Sequence, residues 1–181
     1  MIHAVDVSGE FTAYFGHFES PRLFSTIEDF ELQLKTFQCE TGANYRIRTT
    51  ERDKAGGLQR RVYTCIKKEQ KLHPSRGLRE KPSQKTGCQS TFNINRSMGG
   101  SYCVTSGKMM HNHPVDPIYS RLEPCRRRLD PAQQESIRPL LTNGTPLGYV
   151  CSYIRENFQK YTTPRDLTNL KSKWKRDGYL H

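Results

Sequence analysis

The sequence predicts an α+β chain in which one helix and a small four-stranded antiparallel sheet are followed by a short three-helix region. Three observations predict it. Apolar residues recur at helical spacing over 26–40, then alternate with period two in four stretches between 44 and 106. After residue 130 the helical spacing returns, each time behind a capping residue and a proline.

Residues 1–22 show no sustained period and end at Pro21, so they are expected as a weakly ordered leader. Ser25-Thr26-Ile27-Glu28 fits a capping box, and Ile27, Phe30, Leu34 and Phe37 follow at helical spacing. The helix is expected to run from 26 to about 40 and to end near Gly42. Asn44–Thr49 sets Tyr45 and Ile47 on one face and Arg46 and Arg48 on the other, while Arg60–Ile66 alternates Val62 and Thr64 against Tyr63 and Cys65. Gly56-Gly57 supplies a turn between them. Lys67–Gly87, with Pro74, Gly77 and Pro82, reads as a long basic loop. Gln89–Asn95 and Ser101–Ser106 flank Met98-Gly99-Gly100 as a hairpin, and Met109–Pro114 closes the sheet.

Asp130-Pro131, Thr145-Pro146 and Thr163-Pro164 each place a capping residue before a proline suited to the first helical turn. The second helix carries Leu147, Val150, Cys151, Ile154 and Phe158 on one face, and the third Leu167, Leu170 and Trp174, so the two are expected to pack together. Pro139 is expected to break or kink the first. The resulting division is a leader over 1–22, a sheet domain over 23–116, a basic linker over 117–129 holding Arg126, Arg127 and Arg128, and a helical region over 130–181.

Composition narrows the function. Lys and Arg number 29 against 18 Asp and Glu, a formal charge of +11 that calls for polyanionic partners, nucleic acid first. A mean hydropathy of -0.82 leaves only a modest core. No apolar run approaches the roughly 18 residues of a membrane span, and Met1–Phe11 has neither the basic opening nor the apolar stretch of an export signal. A soluble, intracellular protein with no membrane partner is expected. Two glycosylation sequons, at Asn95 and Asn143, fit a secreted chain, but six cysteines among 181 residues fall far below the roughly 8–10% of a disulfide scaffold. No HExxH, GxSxG or Walker A motif occurs, nor HxE paired with PCxxC, and no enzymatic activity is expected.

Cys65, Cys88, His111 and His113 carry the chemistry. Two thiolates and two imidazoles complete a structural zinc set, since zinc favours four tetrahedral nitrogen or sulfur ligands. Histidines two apart on extended chain face the same side, so both rings can reach one ion while Asn112 points away. Four protein ligands leave no open position, so such a zinc would be structural and would not activate water. On spacing alone a second reading stands, in which the cysteines are small buried hydrophobes and the histidines a surface pair. Cys39 and Cys151 fall on helices, where the buried-hydrophobe reading is favoured. Cys103 and Cys125 have no ligand at knuckle spacing. His3, His17 and His181 are expected in solvent.

A helix rich in Phe and acidic residues, then Tyr63-Thr64-Cys65, Thr86-Gly87-Cys88 and an alternating strand, and finally His111-Asn112-His113-Pro114, together resemble the WRKY-GCM superfamily of zinc-binding DNA-binding domains. The closest resemblance is to the branch at the N-terminus of Mutator-like transposases and the far-red-impaired-response (FAR) proteins derived from them; FLYWCH fingers share the ligand order. The resemblance covers about residues 24–115. Asn143–Pro146 and Thr163–Leu170 extend it to the helical region that follows the finger in such transposases. The 181 residues contain no RNase H-like domain and no SWIM-type Cys/His cluster, so transposition chemistry is not expected of them.

In WRKY-type domains the first sheet strand enters the DNA major groove. By position Asn44–Thr49 is its counterpart, without the WRKYGQK signature. The resemblance therefore implies DNA contacts from Tyr45, Arg46 and Arg48, with Arg60 and Arg61 on the neighbouring strand adding backbone contacts. The expected function is that of a zinc-dependent, nuclear DNA-binding protein and possible transcriptional regulator. The alternative is a zinc-stabilised protein-protein adaptor, nuclear or cytoplasmic, using the C-terminal helices. Lys171, Lys173, Lys175 and Arg176 on the last helix also suit a second DNA reader.

Overall fold

The computed structural model describes residues 4–68 and 85–179, apart from the side chain of Cys125. Lys71, His73, Arg76 and Arg79 of the expected basic loop lie outside the described residues, as do His3 and His181. The chain divides into two compact units, Met1–Ser120 and Arg121–His181. The first is mixed α and β and the second is helical, as expected.

The first unit opens with β1 (Val5–Asp6), α1 (Ser8–Phe15), β2 (Gly16–His17) and β3 (Ser20–Pro21), followed by α2 (Ile27–Thr41). The four-stranded antiparallel sheet is β4 (Tyr45–Arg52), β5 (Leu58–Cys65), β6 (Thr91–Arg96) and β7 (Tyr102–Lys108), in that spatial order. β8 (Met110–His111) pairs with β1, and α3 (Pro117–Ser120) ends the unit.

Residues 7–15 do not fit the weakly ordered leader expected over 1–22. Val7, Phe11 and Phe15 recur every fourth residue, which stacks them on one face of α1, and all three are buried in the core. The Phe11 ring packs edge-on against Phe37 of α2 and tilted against Phe92 of β6, with centroids 5.4 and 5.1 Å apart. Burying three such side chains outweighs the absence of a side-chain cap at Val7.

α2 buries Phe30, Leu34 and Phe37 against the sheet. Its capping box sits one residue later than expected: Thr26 accepts from the Asp29 N–H, and Asp29 accepts from the Thr26 N–H. The helix ends at Gly42 in the left-handed region, φ 80°, where a Cβ would lie 2.3 Å from the Asp116 carbonyl carbon. That close approach brings the chain after His113 onto the end of α2. Asn44 then donates to Ser120 Oγ at 2.7 Å, so residues 117–120 of the expected linker belong to the first unit.

The second unit contains α4 (Pro124–Arg127), α5 (Pro131–Thr142), α6 (Leu147–Phe158) and α7 (Pro164–Arg176). Ile137, Leu141, Val150, Ile154, Leu167 and Trp174 form its buried cluster. Capping boxes at Asp130 with Gln133 and at Thr163 with Asp166 start α5 and α7. α6 differs from expectation, because Pro146 rather than Thr145 stands at its N-cap. Pro139 does not break α5, which continues to Thr142. Proline removes one N–H only three residues from that end, and Leu141 beyond it is buried.

Candidate metal centre and nucleic-acid face

Four elements converge at one end of the sheet. Cys65 is the last residue of β5, Cys88 precedes β6, His111 closes β8, and His113 follows it. Their ligand atoms all lie within 4.8 Å of one another. His111 Nδ1 is 3.3 Å from His113 Nε2, Cys65 Sγ is 3.1 Å from His113 Nε2, and Cys88 Sγ is 3.5 Å from His111 Nδ1. A tetrahedral zinc with bonds of about 2.0–2.3 Å separates its ligands by roughly 3.3–3.8 Å. The three separations given lie in or close to that range, and the quartet can hold a metal ion. Cys65, Cys88 and His111 are fully buried and His113 is half-buried, while Asn112 turns outward to exchange hydrogen bonds with Thr86 at 2.7 and 2.9 Å.

Hydrogen bonds fix which ring nitrogens face the centre. Ser90 Oγ donates its proton to the Lys108 carbonyl at 3.0 Å, so it accepts from the Tyr45 hydroxyl at 2.8 Å. Having given away its proton, the Tyr45 oxygen accepts from His111 Nε2–H at 3.0 Å. His111 Nδ1 is left with its lone pair toward the thiols. His113 Nδ1–H donates to the Pro114 carbonyl at 2.9 Å, which frees Nε2 in the same way. Both histidines thus have the second hydrogen-bonded partner that metal-bound imidazoles use.

The electrostatics suit neutral imidazole and a thiol that must be deprotonated by its ligand. Burial, reinforced by His113, pushes His111 down to about 4. Burial raises the Cys65 thiol to about 12, against the N–H of Lys67 that points at its sulfur. Burial also lifts the Tyr45 phenol well above its ordinary value.

The face of the sheet away from α2 carries Arg46, Thr64, Thr91 and Lys108 in one row across all four strands. Among the described residues neither Arg46 nor Arg48 is ion-paired. The expected side-by-side placement of these two arginines fails, because the pairing register slips between Ile47 and Thr49 and leaves Arg48 as the extra residue of a bulge. Tyr45 is also misplaced by the expectation of a DNA contact. It is 8% exposed, and its hydroxyl is committed to Ser90 and His111. Arg60 is ion-paired with Glu51 at 3.3 Å, and Arg61 is held by Glu31 of α2, mostly out of solvent.

Of the remaining cysteines, Cys39 is exposed rather than buried, and Cys151 packs partly buried against the helical cluster. The Tyr45–Ser90 relay is the part of the site that sequence reasoning missed. A tyrosine alternating in phase with Cys65 across the paired strand was the available signal.

No described helix is long and apolar enough to cross a membrane. Neither a curated protein nor a solved structure matches the chain. Residues 34–117, which contain the whole quartet and all four strands of the main sheet, match the family model of the FAR1 DNA-binding domain.

Proposed function

We propose that the protein is a zinc-dependent DNA-binding protein that acts in the nucleus as a transposase-derived regulator. The observation that carries this reading is the largely buried two-cysteine, two-histidine quartet, its ligand atoms within 4.8 Å of one another, inside the segment that matches a DNA-binding family. Zinc is the ion favoured by a mixed set of two thiolates and two imidazoles, and with all four positions filled it is structural. Bound there, it would tie the end of β5, the approach to β6 and the segment after β8 into one unit.

Arg46, on the face of the sheet away from α2, and Arg48, at the bulge, present guanidinium groups that pair with no carboxylate among the described residues. Such groups suit phosphate oxygens or the paired acceptors of guanine in the major groove. Arg60 contributes only by exchanging Glu51 for phosphate. Arg61, held against α2, supports the fold.

The test is retention of a mixed-sequence duplex by the zinc-loaded chain, with Arg46→Ala and Arg48→Ala combined. The double variant should keep its circular dichroism and bind about tenfold or more weakly, with the salt slope reduced by about 2. Unchanged affinity at moderate salt would refute the groove strand. A wild-type chain that retains no duplex would favour an adaptor role for the zinc fold.

A further inference from the structure

Residues 121–181 carry twelve Lys and Arg against six Asp and Glu, and the excess is concentrated on α7. Within α7 the only carboxylate is Asp166, and it is already engaged. It accepts from the Thr163 N–H and hydroxyl at 3.0 and 2.7 Å and pairs with Arg127 at 3.2 Å. Among the described residues no carboxylate pairs with Arg165, Lys171, Lys173, Lys175 or Arg176.

These cations are not scattered. At 100° per residue, Arg165, Asn169, Ser172 and Arg176 form a stripe directly opposite Leu167, Leu170 and Trp174, which anchor the helix on the buried cluster. Lys175 and Lys173 flank the stripe, and every residue named in it is exposed. The hydroxyl of Ser172 is occupied with the Thr168 carbonyl. Among the described residues no hydrogen bond engages the Asn169 amide. On one flank, Asn169 and Lys173 line a cleft of about 480 Å³ with Arg127 and Arg128, so the cations of α4 adjoin those of α7.

We propose that α7 is a second DNA-contacting element, a helix that enters the major groove of a duplex with the Arg165–Asn169 stripe toward base edges and its flanking cations toward phosphates. A helix of 13 residues is about 20 Å long and, with side chains, about 10–12 Å across, which fits a groove about 12 Å wide. Arginine and asparagine are the side chains that read guanine and adenine by paired hydrogen bonds. Lys173, Lys175 and Arg176, with Arg128 across the cleft, are placed to straddle the backbone on either side. The element lies wholly within the helical unit and needs no metal, so it stands apart from the reading of the sheet.

The experiment uses the full zinc-loaded chain and a labelled mixed-sequence 20-base-pair duplex, with affinity followed by anisotropy across a salt series. Three variants are compared: K173Q/K175Q/R176Q on α7, R121Q/R155Q at exposed cations elsewhere in the same unit, and N169A. Circular dichroism and Trp174 emission report that each has folded. The α7 triple variant should bind about tenfold or more weakly with a salt slope reduced by about 2.7, while R121Q/R155Q changes the slope by less per charge removed. N169A should leave the slope intact and relax one position of the motif selected from a random duplex library.

Equal losses per charge in the two neutralised variants would overturn the proposal, as would an unchanged motif with N169A. Preferential displacement by an RNA duplex of the same length would overturn it too, because the deep, narrow groove of A-form RNA does not admit a helix. Loss of affinity on substituting Arg46 and Arg48 but not α7 would overturn the second element alone. The reverse would overturn the groove strand and support α7.

Discussion

The first unit packs Phe11, Phe15, Phe30 and Phe37 onto the face of its sheet that carries Phe92, and gathers two cysteines and two histidines at that sheet's end. The helical unit packs Ile137, Leu141, Val150, Ile154, Leu167 and Trp174 with no such cluster among its described residues. One unit therefore combines an aromatic core with a polar centre whose thiols and one imidazole are out of water, and the other relies on aliphatic residues around Trp174 and on capping boxes. Buried polar groups stabilise only when satisfied. The first unit should accordingly depend on its ligand and the second should not.

The largest expected effect separates the two. Removing metal with a chelator, or replacing Cys88 with Ala, should abolish stoichiometric zinc and unfold residues 43–113, at a cost bounded by the roughly 10–16 kcal/mol that structural zinc contributes in small fingers. Trp174 is the only tryptophan and lies in the second unit, so its emission should be unchanged. A Cys88→Ala chain with full metal and unaltered circular dichroism would sink the ligand assignment.

A smaller effect tests the aromatic core without touching the centre. Phe11→Ala should lower the stability of the first unit by about 3–5 kcal/mol, as large-to-small changes at buried phenylalanines do. The check is urea unfolding followed by sheet circular dichroism, against Trp174 emission as the internal control. A loss below about 1 kcal/mol would place α1 outside the core.

The smallest effect sharpens the link between core and centre. Tyr45→Phe keeps the ring beside Phe92 and removes only the oxygen that accepts from His111. Metal affinity should fall about 10–100-fold with the fold intact, measured by competition with a chromophoric chelator. Equal affinity would show that the Ser90–Tyr45 relay does not hold the imidazole.

The strands and α2 were legible because alternation and helical spacing are properties of the segments themselves. The quartet was legible because two cysteines and two histidines make up a complete zinc set, and the resemblance carried by His111-Asn112-His113-Pro114 favoured it over the alternative that spacing alone left open. α1 escaped notice because its signal, Val7, Phe11 and Phe15, spans only two turns and has no capping residue, so its stability comes from α2 and β6. The bulge at Arg48 is set by the register against β5, which the strand's own sequence does not carry. Tyr45 showed its face correctly in the alternation but was assigned by analogy to DNA, and its burial comes from the elements packed over it.

Val5 of β1 is paired with His111 of β8, so the strand that carries one of the four ligands is zipped to a segment made about a hundred residues earlier. At roughly 5–20 residues per second of synthesis, that earlier segment waits on the order of 5–20 seconds for its partner. For most of that interval Phe11 and Phe15 have no Phe92 to cover them, and both thiols of the quartet are made before either of its histidines. Contacts this far apart in sequence form late and slowly. Capture of the metal by its full set, and closure of the sheet's end, are therefore among the last steps of this unit's biogenesis, and the nascent chain must be shielded from aggregation and thiol oxidation until they occur.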